Sequence, residues 1–154
     1  MAYQKLQPSR ALAVIKSDDV DIPNPSMLVA DSVSTLTVGN KLVDSTQDFI
    51  AAGVRVGDIV YSGTNAVTVK AVDSATQLDT APVTIASGST YQLYSQNTPS
   101  NGCVLYVGTG GDLEVITAAG DTVTFSNMAN GTFLPVQALR VLATGATVDI
   151  IALW

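Results

Sequence analysis

The sequence predicts an all-β protein, an antiparallel, jelly-roll-like β-sandwich with an inserted small β-barrel that contains one short helix. Runs such as VRVGDIVYSG and DTVTF alternate apolar and polar side chains, which is the period of a half-buried strand. Turn residues, above all glycine and asparagine, separate these runs. The hydrophobic fraction of 47% is ample for a core in a chain of 154 residues.

The chain begins with a polar segment, MAYQKLQPS, which we expect to be an arm formed by residues 1–9. Tyr3 and Leu6 are isolated apolar side chains in it, and Pro8 discourages continuous secondary structure. We therefore expect these three residues to anchor the arm to a partner surface. The first strand-like run, Arg10 to Lys16, follows directly.

Residues 33–98 are predicted to form the inserted barrel, with about five β-runs around one short helix. Asp44, Ser45 and Thr46 offer oxygens that can cap the helix, and Gly53 can end it. The polar linkers IPNPS and QNTPSNG flank this segment, as expected of an insertion at exposed loops. The apolar residues predicted to form its core are Phe49, Ile50, Val56, Ile59, Val67, Val69, Leu78 and Leu93.

The β-sandwich is predicted to be discontinuous and to consist of residues 10–32 plus 99–154. In its larger part, two β-runs flank Gly108–Gly111, which predicts a hairpin. Three more runs follow, in DTVTF, FLPVQALRVLATG and TVDIIALW. Trp154 ends the last of them, where its indole either plugs the sandwich or contacts a neighbouring subunit.

Composition favours an assembly part over a catalyst. Charged residues make up only 13% of the chain, about half the usual share. Since charge is depleted at interface cores, part of the surface is expected to lie against other subunits. Seven Lys and Arg stand against thirteen Asp and Glu without a basic cluster, which argues against nucleic acid as a partner. No long apolar segment or secretory signal is visible, so we expect no membrane partner and synthesis and use in a cytoplasm.

Candidate catalytic groups are few, and we predict no enzyme activity and no cofactor. The chain has no histidine, which removes the commonest general base. Its only cysteine, Cys103, lies inside a β-run and is expected to be a small buried hydrophobe. Asp112 and Glu114 lie two residues apart on a strand. We interpret them as solvated carboxylates that repel each other and not as a pair that cleaves glycosides. The turn Gly108–Gly111 lacks the Lys-Ser/Thr ending and the helix of a phosphate loop.

Two further groups have a functional and a structural interpretation. Asp18, Asp19 and Asp21 could converge on calcium beside a turn, but the stretch lacks the glycine and glutamate of an EF-hand loop. We therefore take the three aspartates as a solvated turn and assign no metal site. Tyr91 and Tyr94 could form a sugar platform, although core packing with a hydrogen-bonded hydroxyl is favoured.

Two stretches of the sequence resemble phage proteins. DSTQDFIAAGVRVGDIVY and AVDSATQLDT are similar to a module of tailed-phage virion proteins. ALAVIKSDDVDIP joined to CVLYVGTGGDLEVITAAGDTVTFSNMANGTFLPVQALRVLATGATVDIIALW resembles the head-spike-base family of phages and gene-transfer agents. That family runs from its first strand directly into the LYVGTGGD segment, whereas this chain carries the other module in between.

The resemblance implies a structural virion protein, and with the composition it favours a capsid decoration (cement) protein. Such a protein would bind the major capsid protein and its own copies, as a homotrimer on the capsid exterior, after assembly in the host cytoplasm. Tyr3, Leu6, Pro8 and Trp154 would be the capsid or subunit contacts. One alternative is a head-spike base or fibre-anchoring protein at capsid vertices. A second is a glycan-binding module of a tail fibre.

Overall fold

The computed structural model of the chain describes residues 8–97, 100–144 and 148–154, and in these residues it is all-β, as predicted. None of them forms a helix, so the short helix of the prediction is wrong. The strands are β1 (Ala11–Ala13), β2 (Met27–Val33), β3 (Lys41–Val43), β4 (Ile59–Ser62), β5 (Asn65–Thr68), β6 (Ala71–Ser74), β7 (Gln77–Asp79), β8 (Thr90–Tyr94), β9 (Cys103–Thr109), β10 (Gly111–Thr117), β11 (Thr122–Met128), β12 (Thr132–Val141) and β13 (Val148–Leu153).

The chain divides into two compact units. Unit 1 combines Met1–Pro25 with Ser100–Trp154, and unit 2 is Ser26–Pro99. The prediction placed residues 26–32 with the sandwich, but β2 pairs antiparallel with β8 and so belongs to unit 2. The first boundary therefore follows Pro25, the second proline of the IPNPS linker. Whether each unit folds alone stays a prediction.

Unit 2 contains two sheets that share one core. The first has the order β2-β8-β4-β5 and the second the order β3-β7-β6. The predicted small barrel thus takes the form of two short sheets. Ile50 and Val56, predicted to be core residues, are 63% and 67% exposed. The buried core is Val29, Leu42, Phe49, Val54, Val60, Val67, Val69, Leu78, Ile85, Tyr91 and Leu93.

A single turn stands where the short helix was predicted. The Phe49 amide, which a helix would direct to the carbonyl four residues earlier, donates instead to the Ala75 carbonyl at 2.6 Å. The predicted helix end is nevertheless present. Val54 N donates to Phe49 O at 3.0 Å and Gly53 N to Ile50 O at 3.1 Å, the pair of bonds that ends helices with a left-handed glycine. Gly53 has φ +78°. The local signals for a helix end were therefore right. The helix itself does not form, because the Phe49 amide bonds to a residue far away in the sequence.

Unit 1 is built on one six-stranded antiparallel sheet with the order β1-β13-β9-β12-β10-β11. The ten-residue strand β12 pairs with β9 at Thr132–Leu134 and, after a register shift, at Ala138, and it pairs with β10 at its last residues. One core cluster gathers side chains from β9, β10, β12 and β13, together with Ile22 from the segment before the linker. Its buried members are Ile22, Cys103, Leu105, Val107, Leu113, Val115, Leu134, Ala138, Val141, Ile150 and Ala152.

The hairpin predicted at Gly108–Gly111 is wrong. Strands β9 and β10 are separated by Gly110 alone, and they do not pair with each other: β9 pairs with β12 and β13, and β10 pairs with β11 and β12. The chain therefore continues across the sheet at this point and does not reverse. A side chain at Gly110 would collide with the carbonyl oxygen of Met128, and the Gly110 amide donates to Asn130 Oδ1 at 2.7 Å. Glycine is required here by close packing.

Candidate functional site: an uncharged outer face of the unit 1 sheet

Strand alternation gives the unit 1 sheet two distinct faces. In β9, Leu105 and Val107 are fully buried, while Val104 and Tyr106 between them are only partly buried. In β13, Ile150 and Ala152 are buried, and Ile151 lies between them with partial exposure. Because successive side chains of a strand point to opposite sides, the partly exposed set lies on the face away from the core.

The strand register places seven of these side chains in two rows. One row crosses four strands, since Ala13 pairs with Ile151, Ile151 with Tyr106, and Tyr106 with Phe133. In the second row, Ala11 pairs with Leu153 and Leu153 with Val104. The outer face is here defined as Ala11, Ala13, Val104, Tyr106, Phe133, Ile151 and Leu153. A sheet face turned to water is normally polar, and this one has no charged residue.

An aromatic pair lies at the β12 side of the outer face. Phe133 is 58% exposed, and its ring centroid is 5.2 Å from that of Tyr106, with the ring planes tilted by 58°. At the opposite side, β1 contributes only alanines. Side-chain size therefore rises across the first row, from Ala13 through Ile151 to the two aromatic residues.

Charged residues begin at the margins of the outer face. Asp149 lies beyond Ile151 on β13, in a left-handed conformation of φ +56°, and its Oδ2 accepts from Thr109 Oγ1 at 2.9 Å. Glu114 of β10 also points outward, between buried neighbours, and its Oε2 accepts from Thr144 Oγ1 at 2.6 Å, but β10 pairs with the last residues of β12 and not with the part that carries Phe133. Asp149 therefore bounds the uncharged area at its β13 end.

None of the contact residues predicted from the sequence is among the seven residues that define the outer face. Tyr3 and Leu6 fall outside the described residues, and Pro8 is exposed. Trp154 is partly buried and packs against the unit 1 core, the plug position of the two that were considered. Its main chain is tied to Arg10, with Trp154 N donating to Arg10 O at 3.1 Å. A role of these residues in subunit contact stays a prediction.

Two of the three aspartates near the first linker, Asp18 and Asp21, have protein partners. Asp21 forms an ion pair with Arg140 at 2.7 Å, and Asp18 Oδ1 accepts from the Ala143 amide at 2.9 Å. In the part of the chain that the structure describes, no group of three or more His, Cys, Asp or Glu is placed to hold a metal ion. These contacts agree with a structural turn that binds the segment before the linker to the region of β12.

Tyr91 and Tyr94 do not form a sugar platform, because they are only 1% and 2% exposed. The Tyr91 hydroxyl donates to Asp44 Oδ2 at 2.8 Å, and the Tyr94 hydroxyl donates to Gln92 Oε1 at 2.6 Å. Core packing with a hydrogen-bonded hydroxyl is therefore the correct interpretation of both.

Like Asp58, Asp44 is a buried carboxylate of unit 2, and its oxygens are occupied by hydrogen bonds. Besides Tyr91, Oδ2 accepts from Ser32 Oγ at 2.7 Å, while Oδ1 accepts from Thr46 N at 2.9 Å and Thr46 Oγ1 at 2.6 Å. Burial alone would raise the pKa of Asp44, but these bonds outweigh it and hold the pKa below its usual value. A carboxylate fixed by four donors is suited to linking strands and turns and poorly suited to proton transfer.

Cys103 is buried beneath the sheet, as the sequence predicts. It is 3% exposed, and burial raises its pKa to about 12. Because the thiolate is the reactive form, this thiol is kept in its unreactive state at neutral pH.

The outer face was missed by the sequence reasoning, although a signal for it exists. A strand with one solvated face alternates apolar with polar residues, but in CVLYV and DIIAL both alternate sets are apolar. In the second run this holds for Ile150–Leu153, because Asp149 before them is charged. Such a run indicates a strand with two apolar faces. Pairing between β1, β13, β9 and β12 then joins these short runs into one surface, and that pairing cannot be derived from periodicity.

Comparisons with known proteins return nothing: no family model, no curated protein and no solved structure matches this chain. Within the described ranges there is also no helix long and apolar enough to span a membrane.

Proposed function

We propose that this chain is a structural, non-catalytic protein of a tailed-phage head, a decoration protein that binds the outer shell as a homo-oligomer, with three copies favoured. The observation that supports the proposal is the outer face, an uncharged row of apolar side chains across four strands with a 58% exposed phenylalanine. Exposed apolar areas of this kind mark interaction sites in soluble proteins.

The energetic argument favours assembly. Complete burial of a side chain such as Ile, Leu or Phe stabilises a contact by about 1.5–3 kcal/mol, and aromatic residues dominate the energy of interfaces. The outer face supplies Tyr106 and Phe133 for that purpose. The resemblance of LYVGTGGD and the final ATG…IIALW segment to phage head proteins supports the viral setting.

A head-spike base or fibre anchor at the vertices is the second candidate, because the same resemblance points to spike-base proteins. A glycan-binding module of a tail fibre is the third. Its support in the sequence was a sugar platform formed by Tyr91 and Tyr94, and both residues are buried. The three candidates differ in how many copies a particle would carry and where.

The test is quantitative gel densitometry of purified virions of the phage that encodes the chain, with immunogold labelling to locate it. A decoration protein is expected on the head at a copy number close to that of the major capsid protein. A few tens of copies at vertices would favour the spike base, and labelling of the tail would favour the glycan binder. Absence from the particle would contradict a virion role.

A further inference from the structure

We infer that the outer face of unit 1 binds a second copy of this chain, with the Phe133 side of one copy packed on the alanine side of the next. The inference rests on the proposed function, since it names the partner and the contact through which the homo-oligomer forms. Two properties of the face favour another copy over a different partner: its lack of charge and its gradient of side-chain size.

Charge decides where identical chains can approach. Each copy carries a formal net charge of −6, so copies repel one another over most of their surfaces. The seven residues of the outer face contribute none of that charge. Two such faces can meet without juxtaposing like charges, whereas a charged partner would lose hydration there and gain no ion pair.

Size makes the face complementary to itself. Ala11 and Ala13 leave a shallow area over β1, and Phe133 with Tyr106 forms a raised area over β12 and β9. A neighbouring copy shifted across the sheet brings its raised side over this shallow side. Two copies that meet face to face would place Phe133 of each on Ala13 of the other in a two-fold contact. When Phe133 of each copy packs on Ala13 of the next copy in one rotational sense, the contact is heterologous and can close into a ring, the arrangement that three copies require.

The dimensions fit the centre of an interface. Four strands spaced by about 4.8 Å make a face roughly 15–20 Å wide. A standard protein interface buries about 800 Å² per partner, and its strongest contacts are aromatic residues near the centre. The outer face therefore supplies the apolar centre, and residues around its margin supply the remainder of the contact.

The experiment measures the mass of the purified full chain by sedimentation equilibrium across micromolar concentrations. Phe133→Ala leaves a gap at the contact and Ala13→Phe fills the space that Phe133 needs, so each change alone should weaken association at least about tenfold. The double variant Phe133→Ala with Ala13→Phe exchanges the two ends and should recover most of the lost affinity. Ile50→Ala, which changes a 63% exposed residue of unit 2, is the matched control and should leave the mass unchanged.

Thermal unfolding followed by circular dichroism verifies that each variant is folded. Should Ala13→Phe disturb the short strand β1, Phe133→Lys and Ala13→Glu are used in its place. Each of these single variants should lose association, and the double variant should recover it because the two new charges are opposite. A wild-type chain that stays monomeric overturns the inference, as does a double variant weaker than both single variants. Association of the purified chain without any place in virions would instead contradict the proposed function and leave this contact standing.

Discussion

Tyr91 shows how a single residue connects separate parts of unit 2. Its ring lies in the core with its centroid 6.4 Å from that of Phe49, and its hydroxyl reaches Asp44, whose other oxygen holds the Thr46 turn. Burial and the bond to Asp44 raise the pKa of Tyr91, so the phenol stays protonated and donates at all ordinary pH values. One side chain thus joins strand β8 to the loop after β3.

We expect Tyr91→Phe to lower the free energy of unfolding by about 2 kcal/mol, because it removes a buried hydrogen bond to a charged group. Tyr94→Phe is the matched control. It removes a buried hydroxyl whose acceptor, Gln92, is neutral, so the expected loss is about 1 kcal/mol. Urea unfolding of both variants provides the comparison. Equal losses of unfolding free energy would show that the charge on Asp44 does not strengthen the hydrogen bond from Tyr91.

The pH dependence of stability should carry the signature of Asp44. Because folding lowers the pKa of Asp44, its stabilising contribution is complete above the unfolded-state pKa of about 3.9 and is lost as pH falls through the folded-state value. Asp44→Asn removes this contribution, with an expected cost of about 1–3 kcal/mol at pH 7. Denaturant titrations between pH 7 and pH 3 should show a smaller acid-induced loss in the variant than in the wild type. Parallel curves would assign the acid sensitivity to other carboxylates.

At the scale of elements, the passage from β9 to β10 depends on one glycine. Gly110→Ala should destabilise unit 1 by about 3 kcal/mol, since the new methyl group meets the Met128 carbonyl of the packed main chain. Gly39→Ala is the control, because nothing lies within 4 Å of a side chain there and the change should stay within about 0.5 kcal/mol. Thermal melts of the two variants test the assignment, and a melt of Gly110→Ala equal to the wild type would refute it.

The elements also show where sequence reasoning succeeds and where it stops. Strand existence followed from alternation, and the left-handed turn at Gly53 followed from its cap. The helix before it was predicted from the same local signals. That prediction is wrong, because Phe49 N bonds to the carbonyl of Ala75, which is far away in the sequence. The hairpin at Gly110 is wrong for a related reason: glycine signals a special backbone position, and only the tertiary pairing decides whether the chain turns or continues there.

At the scale of the whole molecule, the division into two units predicts separable folding. Replacing residues 26–99 by a short Gly-Ser linker between Pro25 and Ser100 should leave a β-rich protein that unfolds cooperatively, because the cost of closing a loop changes slowly with its length. The isolated segment Ser26–Pro99 is the complementary protein and should also unfold cooperatively, since it contains its own core. Circular dichroism melts of both test this. A soluble excised variant without a cooperative transition would mean that unit 1 needs the insert to fold.

The pairing of β1 with β13 determines the order in which the protein can be completed during synthesis. Ala13 pairs with Ile151, so β1 cannot pair until Ile151 has been translated, on the order of ten seconds later at cellular elongation rates. The segment Ser26–Pro99 is contiguous and leaves the ribosome during that interval. We therefore expect the insert to fold first on the nascent chain, while the leading strand remains without its partner and available to chaperones.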